Sequence, residues 1–591
     1  MVEDALPVSR RTLLAGVAGG TASSLAGCSE QFWSRAENTA PDQVELTIKT
    51  LPADDDAFAA QILSQFRENL EEAGIDVSHE PIGEPELYRD VLLEGEYDIF
   101  VARHPGVTDY DDLYELLHSR FGGERGWQNP FHYSDVTVDD TLEEQRFAVD
   151  TENRREAVGE LISYLDEVVP YTTVAFPNRI AGVREPLDVS APPHRGLDYL
   201  RVLSHELEDG PRDGPLVVGV FGEQIGERLN PLVVDRNRID GFLELLYAPL
   251  LRRTDYERSL NGDTTDGYTP WLAADIEWSD IGPLEATVTL HDGLTWHDGT
   301  PLEATDVAFT FGFLQDTSDG DIEGGLPAPR FRGRSSLVEH TEVLDSETIR
   351  IRFDAGTQSV AIRALSVPIF PAHIWEPRTA VIADYQTQAL VTDNDEPVGS
   401  GLFRVSDVST TEIELEPFDE HVFRVDPETR PDELEELSQF EGIRFQVDPN
   451  PGAMIEALLE GDIDITGDPV PPSELEAIRE EPAAQTVTGE TTAFYMVGYN
   501  MHHPELGNPH FRRIISQLID REHVVEEFFD GEALPATGQS SMLGIRNDGW
   551  GFEHRSTIST FPGSDGDIDS TRVQLLFEDA GYRYEDGELL R

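Results

Sequence analysis

A chain that carries 115 acidic against 43 basic side chains has a formal charge of −72 and repels itself in dilute salt. At about molar salt the Debye length falls to about 3 Å and most of that repulsion is screened. The imbalance therefore points to a protein built for concentrated salt, with the composition of an extreme halophile. Its basic residues fit: Lys49 is the single lysine and every other basic side chain is Arg. The rival explanation, an acidic disordered chain, requires few aromatics and few apolar runs. Here 39% of residues are hydrophobic, with 28 Phe and 16 Tyr. A face this acidic also disfavours nucleic acid as partner, because phosphate binding calls for basic surface. At 591 residues the chain has room for several domains.

The first residues read as a targeting segment. Ser9, Arg10 and Arg11 precede a weakly apolar stretch that ends in Leu25-Ala26-Gly27-Cys28, and Cys28 is the only cysteine. This resembles a twin-arginine export signal closed by a lipobox. Arg pairs recur at Arg154-Arg155, Arg252-Arg253 and Arg512-Arg513, so position carries the reading. The resemblance implies cleavage before Cys28, lipid on its thiol and residence at the outer face of the cell membrane. Residues 28–43 form a polar tether, and no later run of 18 apolar residues offers a spanning helix.

From Leu216 onward the motifs follow one another in a recognisable order. Leu216-Val217-Val218-Gly219-Val220 reads as a buried strand and Leu229-Asn230-Pro231-Leu232 follows it. Trp271 to Trp278 comes next, then Ala286 to Leu302 with Trp296-His297-Asp298-Gly299-Thr300-Pro301, then Pro397 to Phe403, Gly461 to Asp464 and Tyr499 to Arg521. Together they resemble the family 5 extracellular solute-binding proteins, receptors for dipeptides, oligopeptides or nickel in ABC importers. His297 and Asp298 belong to a hydrogen-bonded turn rather than a catalytic dyad, with Thr305 or Asp306 capping the next helix.

The family's closing segments match residues ahead of this region. Glu45 to Ile48 reads as a strand and Phe58 to Leu70 as a helix, Gly95 to Phe100 resembles a further family segment, and Leu197 to Leu203 the last family strand. A circular permutation accounts for this, joined through the Gly/Pro/Asp-rich stretch 206–215. It predicts that Leu46 and Leu589 lie within about two strand spacings of about 4.8 Å each. The expected fold is α/β, two lobes of the periplasmic-binding-protein type with an extra subdomain, mixed sheets flanking a central cleft. Its segments are 1–27 signal, 28–43 tether, 44–190 first part of lobe B, and 191–215 last family strand plus linker. The remainder is 216–485, lobe A with subdomain 233–395, and 486–591, second part of lobe B.

The resemblance implies a peptide or similar small solute, captured by lobe closure and passed to an ABC permease and its ATPase by a monomer without cofactor. The loops match the family's peptide anchors poorly: Leu51 to Asp56 lacks the expected Arg and Tyr, and Gly106 stands where an Asp is expected. Candidate ligand contacts are therefore Asp54, Asp55, Arg103, His104, Tyr110, Asp235, Arg236, Asn237 and Asn500. His297, His502 and His503 raise a metal site, but no ordered ligand spacing supports one. No G-x-S-x-G, HExxH or cysteine nucleophile supports an enzyme; a sensor or adhesin ectodomain of the same fold is the alternative.

Overall fold

The computed structural model describes residues 42–591 apart from 125–127, 205–211, 213, 223–228, 235–238, 255–264, 266, 280–281, 384–385, 432–433, 435–439 and 539–559. The signal, Cys28 and the tether lie outside the described residues except for 42 and 43.

One lobe is organised on a six-stranded mixed sheet. It takes β1 (Glu45–Thr50), β2 (Asp76–Pro81), β3 (Ile99–His104) and β4 (Tyr171–Pro177) from the first part of the chain, and β16 (Phe494–Tyr499) and β17 (Ala533–Pro535) from the last, in the order β2-β1-β3-β16-β4-β17. β1 runs parallel to β2 and β3, while β16 is antiparallel to β3 and β4. Every residue of β16 is buried, as a central strand covered on both faces requires. Helix α1 (Ala57–Glu72) starts where the Asp56 carboxylate accepts the Ala59 N–H at 2.9 Å, and it buries Ile62, Leu63, Phe66 and Leu70 against the sheet.

The other lobe is continuous from Arg179 to Gly489. Its seven-stranded sheet has the order β11-β12-β13-β6-β14-β5-β15, built from β5 (Arg179–Arg184), β6 (Leu216–Phe221), β11 (Phe403–Val408), β12 (Glu412–Pro417), β13 (Ile443–Asp448), β14 (Ile465–Thr466) and β15 (Ala484–Gly489). A four-stranded antiparallel sheet within 233–395 comprises β7 (Ala273–Trp278), β8 (Glu285–Leu290), β9 (Val338–Val343) and β10 (Thr348–Phe353). It shares one apolar core with the larger sheet.

The chain passes between the main sheets at two neighbouring places, Asn178 between β4 and β5 and residues 490–493 between β15 and β16. Gly489 pairs with Arg179 on one side of this passage and Tyr495 with Ala175 on the other. The first passage thus falls ahead of the expected boundary at 190, because β5 pairs with β15 and β14.

Two local expectations change. Leu197 to Leu203 is not a strand but part of helix α5 (Gly196–Ser204). Leu197, Leu200 and Leu203 recur at helical spacing and are all buried, and the Asp198 carboxylate accepts the N–H groups of His194 and Arg195. Helix α6 (Ala304–Gln315) is capped by Glu303, with Asp306 reaching back to accept the Glu303 N–H at 3.0 Å; Thr305 sits inside the first turn.

The two ends of the described chain lie side by side. Val44 N–H donates to Leu589 O at 2.9 Å, Leu589 N–H donates to Gly74 O at 2.8 Å, and Gln43 bridges Leu590 antiparallel. Leu46 and Leu589 belong to one core. Gly74, at φ +88°, is required here, since a Cβ on it would stand 2.5 Å from Gly587 O. No helix among the described residues is long and apolar enough to cross a membrane.

Candidate interlobe site

The loop after β3 is folded around one carboxylate. The N–H groups of Thr108 and Asp109 and the Thr108 hydroxyl all donate to Asp112 Oδ2, at 2.7, 3.1 and 3.0 Å. This starts helix α2 (Asp112–Leu117) and aims Asp109, Asp111, Asp112 and Glu115 at the opposite lobe.

Arginines meet these acids from both sides. Within the first lobe Arg146, at the end of helix α3 (Val136–Arg146), donates through Nε and Nη2 to the two Asp111 oxygens at 2.8 Å each, and Arg154 of helix α4 (Thr151–Val168) donates to Asp109 at 2.5 Å. From the second lobe Arg363, on helix α8 (Gln358–Leu365), reaches Asp111 at 2.7 Å and also bonds Asp112. Arg332, which opens the short helix α7 (Arg332–Ser335), forks onto Glu124 at 2.8 and 2.9 Å. Arg146 completes the seam by accepting the Gly356 N–H on its backbone carbonyl.

Burial opposes ionisation of Asp109, but Arg154 and Arg363 outweigh it and hold the carboxyl at about 2. Glu115 goes the other way: burial and the neighbouring Asp112 push it up to about 7, against the pull of Arg363 and Arg334. Its carboxylate is pressed on Gly333 of α7, so a Cβ there would displace it.

Beside this seam lies a cavity of about 460 Å³, with walls from both lobes. His104, Val107, Thr108, Asp112, Glu115 and Leu116 form one wall. Asp240, Leu243, Glu244, Leu251, Arg252, Arg253, Arg330, Phe331, Arg334 and Arg363 are among those forming the other. The volume lies within the usual range for small-molecule sites, about 300–1,000 Å³.

Of the candidates read from the sequence, His104 lines this cavity; it stacks on Phe494 at 4.8 Å, and burial lowers it to about 4, so the ring is neutral. Asp54 and Asp55 are exposed in the turn before α1 and Arg103 is exposed on β3. Tyr110 is wholly buried in the core beneath the loop. Asn500 is buried and its amide donates to Gly95 O and Tyr97 O, which fixes a turn. Asp235, Arg236 and Asn237 lie outside the described residues. His297 holds a turn as the sequence suggests: Gly399 N–H donates to its Nδ1 at 3.2 Å and its Nε2 bonds Gly401 O at 3.1 Å. His502 stacks on His132, and His503 faces Glu505. Among the described residues no three His, Cys, Asp or Glu side chains gather as a metal site.

The residues that make the cavity ionic were missed. One signal was available: in a chain of net charge −72, Arg330, Arg332 and Arg334 fall within five positions.

Two α/β lobes joined by two neighbouring strand passages and enclosing a cavity between them define a two-lobed solute-binding protein. Residues 267–587, more than half the chain, match the bacterial extracellular solute-binding proteins, family 5 Middle, and the chain belongs to that family. A Brucella ovis protein named as an ABC transporter peptide-binding protein is 24% identical over 337 residues, 55% of each chain. The oligopeptide-binding protein AppA of Bacillus subtilis is 24% identical over 377 residues, 64% of this chain and 61% of its own. This chain thus spans between half and two thirds of the length of these curated relatives. Among solved structures, AppA of Bacillus subtilis with a nonapeptide gives a TM-score of 0.46 at 20% identity, covering 64% of this chain and 68% of AppA. NikZ of Campylobacter jejuni with Ni(L-His) gives 0.43 at 15% identity, covering 64% and 66%.

Proposed function

We propose that this protein is the solute receptor of an ABC importer, capturing a peptide or similar small solute between its lobes and presenting the closed form to a permease and its ATPase. The observation that carries this is the interlobe cavity, whose two walls come from different lobes. Rotation about the paired passages at Asn178 and residues 490–493 would open and close it. In this reading Arg10-Arg11 directs export, Cys28 carries the lipid anchor, and the acidic surface keeps the mature protein soluble in concentrated salt.

We also propose that the order of its segments is permuted relative to the family. In support, the family match begins at residue 267, while β1 to β4 complete a sheet with β16 and β17, and Val44 pairs directly with Leu589.

The test is a thermal-shift and scattering screen of residues 29–591 in multimolar KCl against di- to decapeptides, sugars and Ni²⁺. A solute at 100 times its dissociation constant should add about 2.7 kcal/mol of stability and leave the particle closed. Turnover of the added solute, or no shift with any class, would overturn the receptor reading.

A further inference from the structure

Among the described residues five arginines line the interlobe cavity, and four of them are already engaged. Arg363 is held by Asp111 and Asp112, Arg252 by Glu244 at 3.2 Å, Arg330 by Val233 O at 2.8 and 3.1 Å, and Arg253 by Thr108 O. Arg334 differs. Among the described residues it has no carboxylate within 4.0 Å and donates to no backbone carbonyl; its one hydrogen bond is a contact of 3.5 Å to Ser366 Oγ. At that length the contact is weak; the Ser366 hydroxyl donates its own proton to Arg363 O at 2.7 Å.

The acids of the cavity show the same pattern. Asp112 is paired with Arg363, Asp240 with Arg179 at 2.7 Å, and Glu244 with Arg252. Glu115 is the carboxyl on the far wall nearest in role to a partner for Arg334, and it is taken up by the Gly333 N–H. With its carboxyl pushed up to about 7, Glu115 is ionised only part of the time at neutral pH and offsets the charge on Arg334 only in part. A half-buried guanidinium facing an enclosed space therefore keeps its fork of N–H donors for something else.

Such a fork matches the two oxygens of a carboxylate or phosphate in plane, and in a partly desolvated site that bond is stronger than between neutral groups. Leu243 on the same wall is half-buried and offers apolar surface, and the Phe331 ring lies under the Arg334 guanidinium at 5.7 Å. The cavity has the volume of about fifteen liquid waters at about 30 Å³ each, which suits a small solute rather than a long peptide.

We propose that Arg334 sets the specificity of this receptor, selecting small solutes that carry an oxyanion beside an apolar body. The inference rests on the receptor reading and adds the chemical class of the solute.

The experiment is calorimetric titration of the wild type, Arg334→Gln and Arg334→Lys in multimolar KCl. The probes are matched pairs that differ only in the anion, a short carboxylate against its amide and a dipeptide against its C-terminal amide, together with inorganic phosphate. A carboxylate or phosphate probe should bind, its amide should bind at least tenfold more weakly, and Arg334→Gln should erase that difference. Arg334→Lys should fall between them, because a point charge replaces the fork. Chloride is constant throughout and leaves the ratios unchanged. Preference for carboxylate over phosphate, or the reverse, identifies which oxyanion is taken. Amides binding as well as acids, or acids binding Arg334→Gln undiminished, would overturn the inference and leave the receptor reading standing. No binding by any probe would overturn both. Should Arg334→Gln fail to fold, the acid-to-amide ratio in the wild type and in Arg334→Lys decides.

Discussion

Asp111 accepts from Arg146 through both oxygens and from Arg363 across the seam, and its side chain is 1% exposed against 0% and 6% for the two arginines. Removing one partner from a buried ionic cluster leaves the others desolvated without compensation, at about 3–5 kcal/mol. Asp111→Ala should lower the stability of the folded protein by that order in denaturant titrations. A loss below about 1 kcal/mol would show that water already screens the cluster. Glu115 gives a second prediction, and its sign follows from its surroundings: Asp112 on its own helix, with Arg363, Arg334 and the Gly333 N–H across the seam. Its carboxyl stands at about 7 when folded against an ordinary 4.5, so the folded state holds the proton more tightly. The contribution is complete below about pH 4.5 and is lost as pH rises through about 7. In the difference between wild type and Glu115→Gln, the wild-type melting temperature should fall with pH across that window. A flat difference would mean that Glu115 is ionised throughout. The sequence disclosed neither residue, because a carboxylate among 115 looks the same whether solvated or pressed against a glycine of another lobe. His104 closes strand β3 and lines the cavity, whereas Tyr110 and Asn500, polar groups by type, are packed inside.

At the scale of elements, local pattern was a good guide where one periodicity ruled. Leu216 to Val220 forms a buried strand, and the apolar spacing from Phe58 to Leu70 falls within α1. It failed at Leu197 to Leu203, where five apolar residues in seven satisfy both periods and a carboxylate at Asp198 settles the matter for helix. The family resemblance had favoured a strand there. The pairing of the C-terminal residues with the start of the chain rests on Gly74, a contact no local window reveals. The hairpin of β18 (Arg583–Glu585) and β19 (Glu588–Leu590) presents Leu589, wholly buried, to the core around Leu46 and Phe577. Leu589→Ala removes a buried isobutyl group and should cost about 2–5 kcal/mol, read as loss of stability in the lobe that contains α1. Wild-type stability in that variant would mean that the hairpin is only laid against the surface.

For the whole molecule, the arrangement separates what the fold requires from what the chain order happens to be. One lobe is contiguous from Arg179 to Gly489, while the other is assembled from the pieces before and after it and is closed where Gln43 meets Leu590. Arg591 N–H donates to Asp42 O at 3.0 Å, so a turn of a few residues can join these positions without disturbing either strand. A chain rearranged in this way, with Arg591 linked to Asp42 and new ends opened between residues 206 and 215, keeps every pairing described above and changes only the connectivity. Termini that lie close together and a cut in a Gly/Pro/Asp-rich stretch are the conditions under which rearrangement is tolerated. The rearranged protein should therefore fold in multimolar KCl and give the same difference between acid and amide probes as the parent. On the permuted reading its segments would then stand in the family's order, and it should superpose on its relatives as a single run from end to end. Collapse of the lobe carrying β1 to β4, with the Arg179–Gly489 lobe intact, would show instead that the first 44–177 residues must be made ahead of the rest, and the permuted reading of the chain would fall with it.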